Sequence, residues 1–144
     1  MVAIPNKKVM IFGTFDILHC GHLHMFKQAR EYGDYLIAIV GRDANVEEIK
    51  GIGPMHNENE RLDLISHIDI IDKARLGDKI DVYKVIGEEK PDIIALGYDQ
   101  REYVDELADA ITKAGLETQI VRLTEYQENK FKSSKIKKYI EKMI

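Results

Sequence analysis

Apolar residues in this chain fall into two patterns that alternate along it. Apolar runs occur at residues 8–12 (unbroken from Val9), 35–40 (Tyr-Leu-Ile-Ala-Ile-Val) and 93–96 (Ile-Ile-Ala-Leu), while the mixed segment 119–123 (Gln-Ile-Val-Arg-Leu) reads as the last strand. Runs this short and continuous predict strands buried on both faces, as in a parallel sheet. Residues 73–76 predict one more strand. Between the runs, apolar residues recur at helical spacing. Leu23, Phe26, Ala29 and Tyr32 predict a helix over 21–32, stopped by Gly33. Leu62, Ile65 and Ile68 predict another over 58–68. Further helices are expected over 81–90, over 102–114 (closed by Gly115) and over 133–143. Residues 50–57 hold two glycines and a proline and read as a loop. Strand and helix in alternation give an α/β fold with a parallel sheet, helices on both faces and right-handed crossovers.

Composition narrows this picture without changing it. The 144 residues fit one domain, expected to run over 1–144, with 44% hydrophobic and 32% charged residues. A net charge of −4 argues against a general nucleic-acid surface. An anionic substrate must therefore be held by local groups. The one cysteine, Cys20, cannot close an internal disulfide, and a reducing cytoplasmic setting is expected. No apolar run approaches the ~20 residues of a membrane span, so no membrane partner is expected.

In an open parallel sheet, ligands bind beyond the carboxyl ends of the strands. Polar residues cluster at those ends: Thr14, Asp16, His19 and His22 after the first run, Arg42 and Asp43 after the second, and Asp99 and Gln100 after residues 93–96. His19 and His22 are three residues apart at an expected helix start, which puts both rings on one side. Such a terminus carries unpaired N–H groups and partial positive charge, a site for anions. Gly21 would let a phosphate approach the backbone. The chemistry this suits is in-line attack on an α-phosphate, which needs positioning and charge stabilisation more than a covalent nucleophile.

The segment Gly13-Thr14-Phe15-Asp16-Ile17-Leu18-His19-Cys20-Gly21-His22 resembles the signature of the cytidylyltransferase-like nucleotidyltransferases. Further matches follow in the family's order: Lys50-Gly51 with Pro54 and Glu60-Arg61, then Ala95-Leu96-Gly97-Tyr98-Asp99-Gln100, then Lys132-Ser133-Ser134-Lys135-Ile136. The resemblance implies a single Rossmann-like domain with five strands in the order 3-2-1-4-5. Within the family, the Gly-Tyr-Asp-Gln strand end and Arg122-Leu123-Thr124-Glu125-Tyr126 resemble archaeal-type FAD synthases, which use ATP to adenylate FMN and release pyrophosphate. The alternative is a CTP-dependent glycerol-3-phosphate cytidylyltransferase, or another small-phosphate nucleotidyltransferase. The glycerol-3-phosphate enzymes usually carry a tryptophan that this chain lacks.

By position, the resemblance implies that Thr14 and Phe15 contact ATP through their backbone and that His19 and His22 stabilise the α-phosphate. Cys20 and Gly21 lie between them at the same phosphate site, and Cys20 stands where many relatives have proline. Asp99 is expected at the nucleotide edge and Tyr126 near the base. Asp16 is a candidate for holding Mg²⁺ or another divalent cation, or for positioning the acceptor phosphate; a turn or cap role competes. Lys50 is a candidate clamp on the triphosphate. The Arg61 fork is a candidate for phosphate or pyrophosphate, against a surface ion pair with Glu58 or Glu60. Ser133 could bind a phosphate at the last helix start. A homodimer is the family's expected assembly.

Overall fold

A computed structural model of the chain describes residues 4–125 and 133–144. The five strands are β1 (Lys8–Gly13), β2 (Tyr35–Val40), β3 (Lys73–Leu76), β4 (Ile93–Leu96) and β5 (Gln119–Arg122). They form one sheet in the order β3-β2-β1-β4-β5, every neighbouring pair parallel. The helices are α1 (Cys20–Arg30), α2 (Asp43–Lys50), α3 (Glu58–Ser66), α4 (Lys84–Glu89), α5 (Leu107–Lys113) and α6 (Ser133–Met143).

Side chains alternate across β1 and β2, so each strand feeds two cores. Val9 and Ile11 of β1 and Leu36 and Ala38 of β2 pack with Phe26 and Ala29 of α1 and Ile65 of α3. Met10, Ile37 and Ile39 face the other way, onto Val85 and Ile86 of α4 and Leu107 and Ile111 of α5. Burial of both faces is what the unbroken apolar runs require. Among the described residues, no helix is long and apolar enough to cross a membrane.

Helix α4 begins at Lys84, three residues later than expected, and two elements depart further from the sequence expectation. Helix α2 occupies a stretch with no predicted element. It is eight residues long and buries only Val46, too little periodicity to stand out. Its end is clear in the structure: Gly51 caps it in the left-handed region at φ 78°. Helix α5 begins at Leu107, not near 102, because Tyr103 sits at φ 64°, which an α-helix cannot contain.

Chain order 3-2-1-4-5 makes β1 and β4 the pair where connections leave in opposite directions. A cleft opens at the carboxyl ends of such a pair. Gln100 stitches this point. Its Nε2 donates to the Phe12 carbonyl at 2.8 Å, and its Oε1 accepts from the Gly97 N–H at 2.7 Å.

Candidate active site

The loop from β1 to α1 sets the site. Phe15 and Ile17 both lie in the left-handed region, at φ 54° and 53°. Non-glycine residues, and a β-branched one above all, hold that conformation only when their surroundings force it. Here the Phe15 ring is buried edge-on between His22 (centroids 6.0 Å) and Phe26 (5.6 Å). It also closes under Gly13, where a Cβ would stand 2.6 Å from the ring, so only glycine fits at the end of β1.

His19 is the N-cap of α1 and His22 is its N3 residue. The Gly21 N–H donates to His19 Nδ1 at 3.0 Å, and the His19 N–H donates to His22 Nδ1 at 3.2 Å. This is a capping box built from two imidazoles in place of the usual hydroxyl and carboxylate. A ring nitrogen that accepts a backbone N–H carries no proton. Each neutral ring therefore has its proton on Nε2, and the pair presents two Nε2–H donors. The rings are 4.0 Å apart, centroid to centroid.

Burial pushes the His22 imidazole down from 6.5 to about 4, helped by neighbouring His19 and Lys50 and opposed by Asp16. Burial lowers His19 as well. A consequence for stability follows. As pH falls through 6.5, an unfolded His22 takes up a proton while the folded one does not until about pH 4. The ring's contribution is thus complete above pH 6.5 and is lost progressively down to pH 4. Urea unfolding of the free protein should give up roughly 2–3 kcal/mol between those limits from this residue. His22→Asn should remove that part of the acid loss; an unchanged slope of stability with pH would refute the assignment.

The backbone amides expected to face an anion are engaged within the protein. The Gly21 amide, expected to face a phosphate, is held by His19, and the His22 N–H donates to the His19 carbonyl at 3.0 Å. The donors left at this helix start are the two imidazole Nε2–H groups, at the positive end of the helix dipole. Cys20 is exposed on the first turn.

Thr14, Phe15, Asp16, His22, Lys50 and Asp99 line one cleft. Lys50 reaches it from the last residue of α2. Gln100, which the sequence placed at this edge without a role, lines the cleft too, and sequence reasoning missed Glu102 and Lys137. The signal for Lys137 was present, two residues after Lys135 in the α6 segment. Tyr126 and Lys132 lie outside the described residues; Ser133 opens α6.

Two candidates have other work in the structure. Asp16 is buried, and both its oxygens are engaged: Oδ2 accepts from the Met55 N–H at 2.7 Å and Oδ1 from the His56 N–H at 3.1 Å. His56 Nδ1 is 3.2 Å from Oδ1, and Lys137 Nζ is 3.9 Å from Oδ2. Burial alone would raise this carboxyl, but those donors and Lys137 hold it below its usual range. Asp16 is therefore a staple for the loop after α2, the role its turn chemistry allowed. It does not fit as a cation ligand, and among the described residues no three His, Cys, Asp or Glu side chains gather as a metal site.

Arg61 likewise does not reach the cleft. It is fully buried. Its Nε donates to the His56 carbonyl (2.9 Å), Nη1 to the Thr14 carbonyl (2.7 Å) and Nη2 to Asp43 Oδ1 (2.7 Å). The fork is spent on protein oxygens. Its ion-pair partner is Asp43 on α2, not Glu58 or Glu60. Glu60 instead completes a capping box with Asn57, and Glu58 binds Arg42 at 2.6 Å.

The match to known proteins spans this whole arrangement. A family model described as cytidylyltransferase-like matches residues 10–139. The chain belongs to the cytidylyltransferase-like family. Relatives in this family include a protein named FAD synthase from Thermoplasma volcanium, 42% identical over 95% of this chain and 96% of its own length. Another FAD synthase, from Thermoplasma acidophilum, is 38% identical over the same shares. A solved structure described as a lipopolysaccharide core biosynthesis protein from Thermoplasma volcanium superposes with a TM-score of 0.78. It is 44% identical and covers 84% of this chain and 98% of its own. The five-stranded order read from the family signature is the order observed.

Proposed function

We propose that this chain is a FAD synthase, transferring AMP from ATP to FMN with release of pyrophosphate. The match over 95% of this chain to relatives named FAD synthase carries this reading. The site's chemistry supports it. An FMN phosphate is already ionised at neutral pH, so the reaction needs no strong general base. A phosphate oxygen of FMN attacks the α-phosphorus of ATP. The new P–O bond forms as the bond to the β-phosphate oxygen breaks, and pyrophosphate leaves with the electron pair. His22 and His19 donate from Nε2 to the α-phosphate oxygens, where charge builds in the transition state. Lys50 offsets charge on the leaving pyrophosphate, with Lys137 on the same cleft. Thr14 and Phe15 lie against the nucleotide and Asp99 at its edge. A divalent cation enters this proposal only on the triphosphate of its substrate.

The proposal includes a cytoplasmic homodimer. The exposed Tyr139, Ile140 and Met143 of α6 support a second copy as the cover for that helix face.

Pyrophosphate release tests the activity, with ATP and CTP each paired with FMN, glycerol 3-phosphate and phosphopantetheine. Release with ATP and FMN, with FAD as product, is the expected result. Turnover confined to CTP and glycerol 3-phosphate would overturn it.

A further inference from the structure

Arg122 ends β5 with its side chain laid on the turn that follows β4, and we propose that it is a positioning residue for nucleotide binding. The inference rests on the FAD synthase reading in one respect: it takes Asp99 of that turn as the contact at the nucleotide's edge. In the β4–β5 register Arg122 pairs with Leu96, the last residue of β4. From there its Nη1 donates to the Gly97 carbonyl at 2.9 Å and to the Gln100 carbonyl at 2.6 Å. These are the first and last carbonyls of the turn Gly97–Gln100. One nitrogen therefore grips both ends of the segment that brings Asp99 to the cleft.

The turn is also held from the opposite side. The Gln100 N–H closes it by donating to the Gly97 carbonyl at 3.1 Å. The Gln100 side chain takes the Gly97 N–H and reaches the Phe12 carbonyl of β1. Gln100 thus ties the turn to β1 and Arg122 ties it to β5, the two strands that flank β4. Arg101 donates to the Gln100 carbonyl as well, at 2.9 Å, and to the Tyr98 carbonyl at 3.3 Å. Those bonds are local and anchor the turn to no other element. Arg122 is exposed, and water could satisfy either carbonyl in its place. Water would not fix the turn against β5. Fixing it narrows the conformations open to Asp99 before a ligand arrives, so less ordering remains to be done on binding.

Calorimetric titration of the intact protein with a non-hydrolysable ATP analogue and with AMP tests this. Arg122→Met keeps the aliphatic stem and removes the donors. It should weaken both ligands by the same factor, about tenfold, as loss of a charge-assisted hold implies. At saturating ATP, kcat should stay within about threefold, so that the loss sits in KM. The thermal midpoint should stay near wild type, because the side chain is exposed. In an Asp99→Asn background the same substitution should cost no more than about twofold, since it acts through that side chain. Arg101→Met takes the same charge from the same carbonyl and should leave affinity within about twofold. Four results would overturn the inference. A loss much larger for the ATP analogue than for AMP would make Arg122 a phosphate contact. An equal loss in Arg101→Met would reduce the effect to net charge. Full additivity with Asp99→Asn would separate Arg122 from the turn, and unchanged affinity would remove it from the site. If wild type releases pyrophosphate from ATP with FMN and Arg122→Met behaves like it, only this inference fails. If wild type binds neither nucleotide and releases no pyrophosphate, the FAD synthase reading fails and this falls with it.

Discussion

Replacing His22 with alanine is expected to lower kcat by about 10²–10³, the cost of removing one preorganised donor to developing negative charge. The two ring nitrogens make this prediction separable from folding. Nδ1 accepts the His19 N–H and belongs to the helix cap, while Nε2–H is the free donor. In His22→Asn the amide oxygen can take the place of Nδ1, but nothing reaches the position of Nε2. Asparagine should therefore keep the thermal midpoint near wild type and still lose activity as alanine does. Alanine should also lose about 1 kcal/mol of stability with the cap. Because His22 stays neutral down to about pH 4, the loss in kcat should be the same from pH 6 to 8. Near-wild-type turnover in His22→Asn would remove the imidazole from the mechanism. A loss that grew as pH fell would point to an imidazolium as the working form.

The sheet was the legible part of this molecule, because burial on both faces leaves an unbroken apolar run for each central strand. The bounds of β2 and β4 follow from it directly. The histidine pair was legible from its spacing alone as two rings brought to one side of a helix start. How the rings are bonded was not, since that depends on His19 taking an extended N-cap conformation at φ −152°. The pattern of an N-cap residue followed by its N3 partner would have carried the signal had histidine been counted among capping side chains. Asp16 and Arg61 differ: the sequence left a turn role open for one and an ion pair for the other, but it could not name their partners. Asp16 meets backbone 39 and 40 residues away, and Arg61 meets Thr14 across 47. Neither pairing leaves a local trace. A charged residue beside a phosphate motif reads as a ligand until its partners are seen.

Those partners make Arg61 the residue whose loss should cost the most stability. One buried guanidinium ties the loop before α3 (His56), the β1–α1 loop (Thr14) and the start of α2 (Asp43). Arg61→Ala opens a cavity and leaves two carbonyl oxygens without their donors. Asp43 is 39% exposed and can rehydrate, so the penalty comes from the carbonyls and the void more than from a stranded charge. A loss of about 3–5 kcal/mol is expected, a large part of a typical domain's total. In thermal unfolding that corresponds to a drop of about 10 °C or more. Arg61→Lys should recover little, because a single ammonium cannot span three oxygens that the planar fork reaches together. Asp43→Asn should cost well under half as much, its side chain lying partly in water. The competing role, a fork on the triphosphate, predicts the reverse signature: a thermal midpoint near wild type and a collapse in kcat. Measuring both quantities on Arg61→Ala and Arg61→Lys decides between them. A stable but inactive Arg61→Ala would return the residue to the phosphate site.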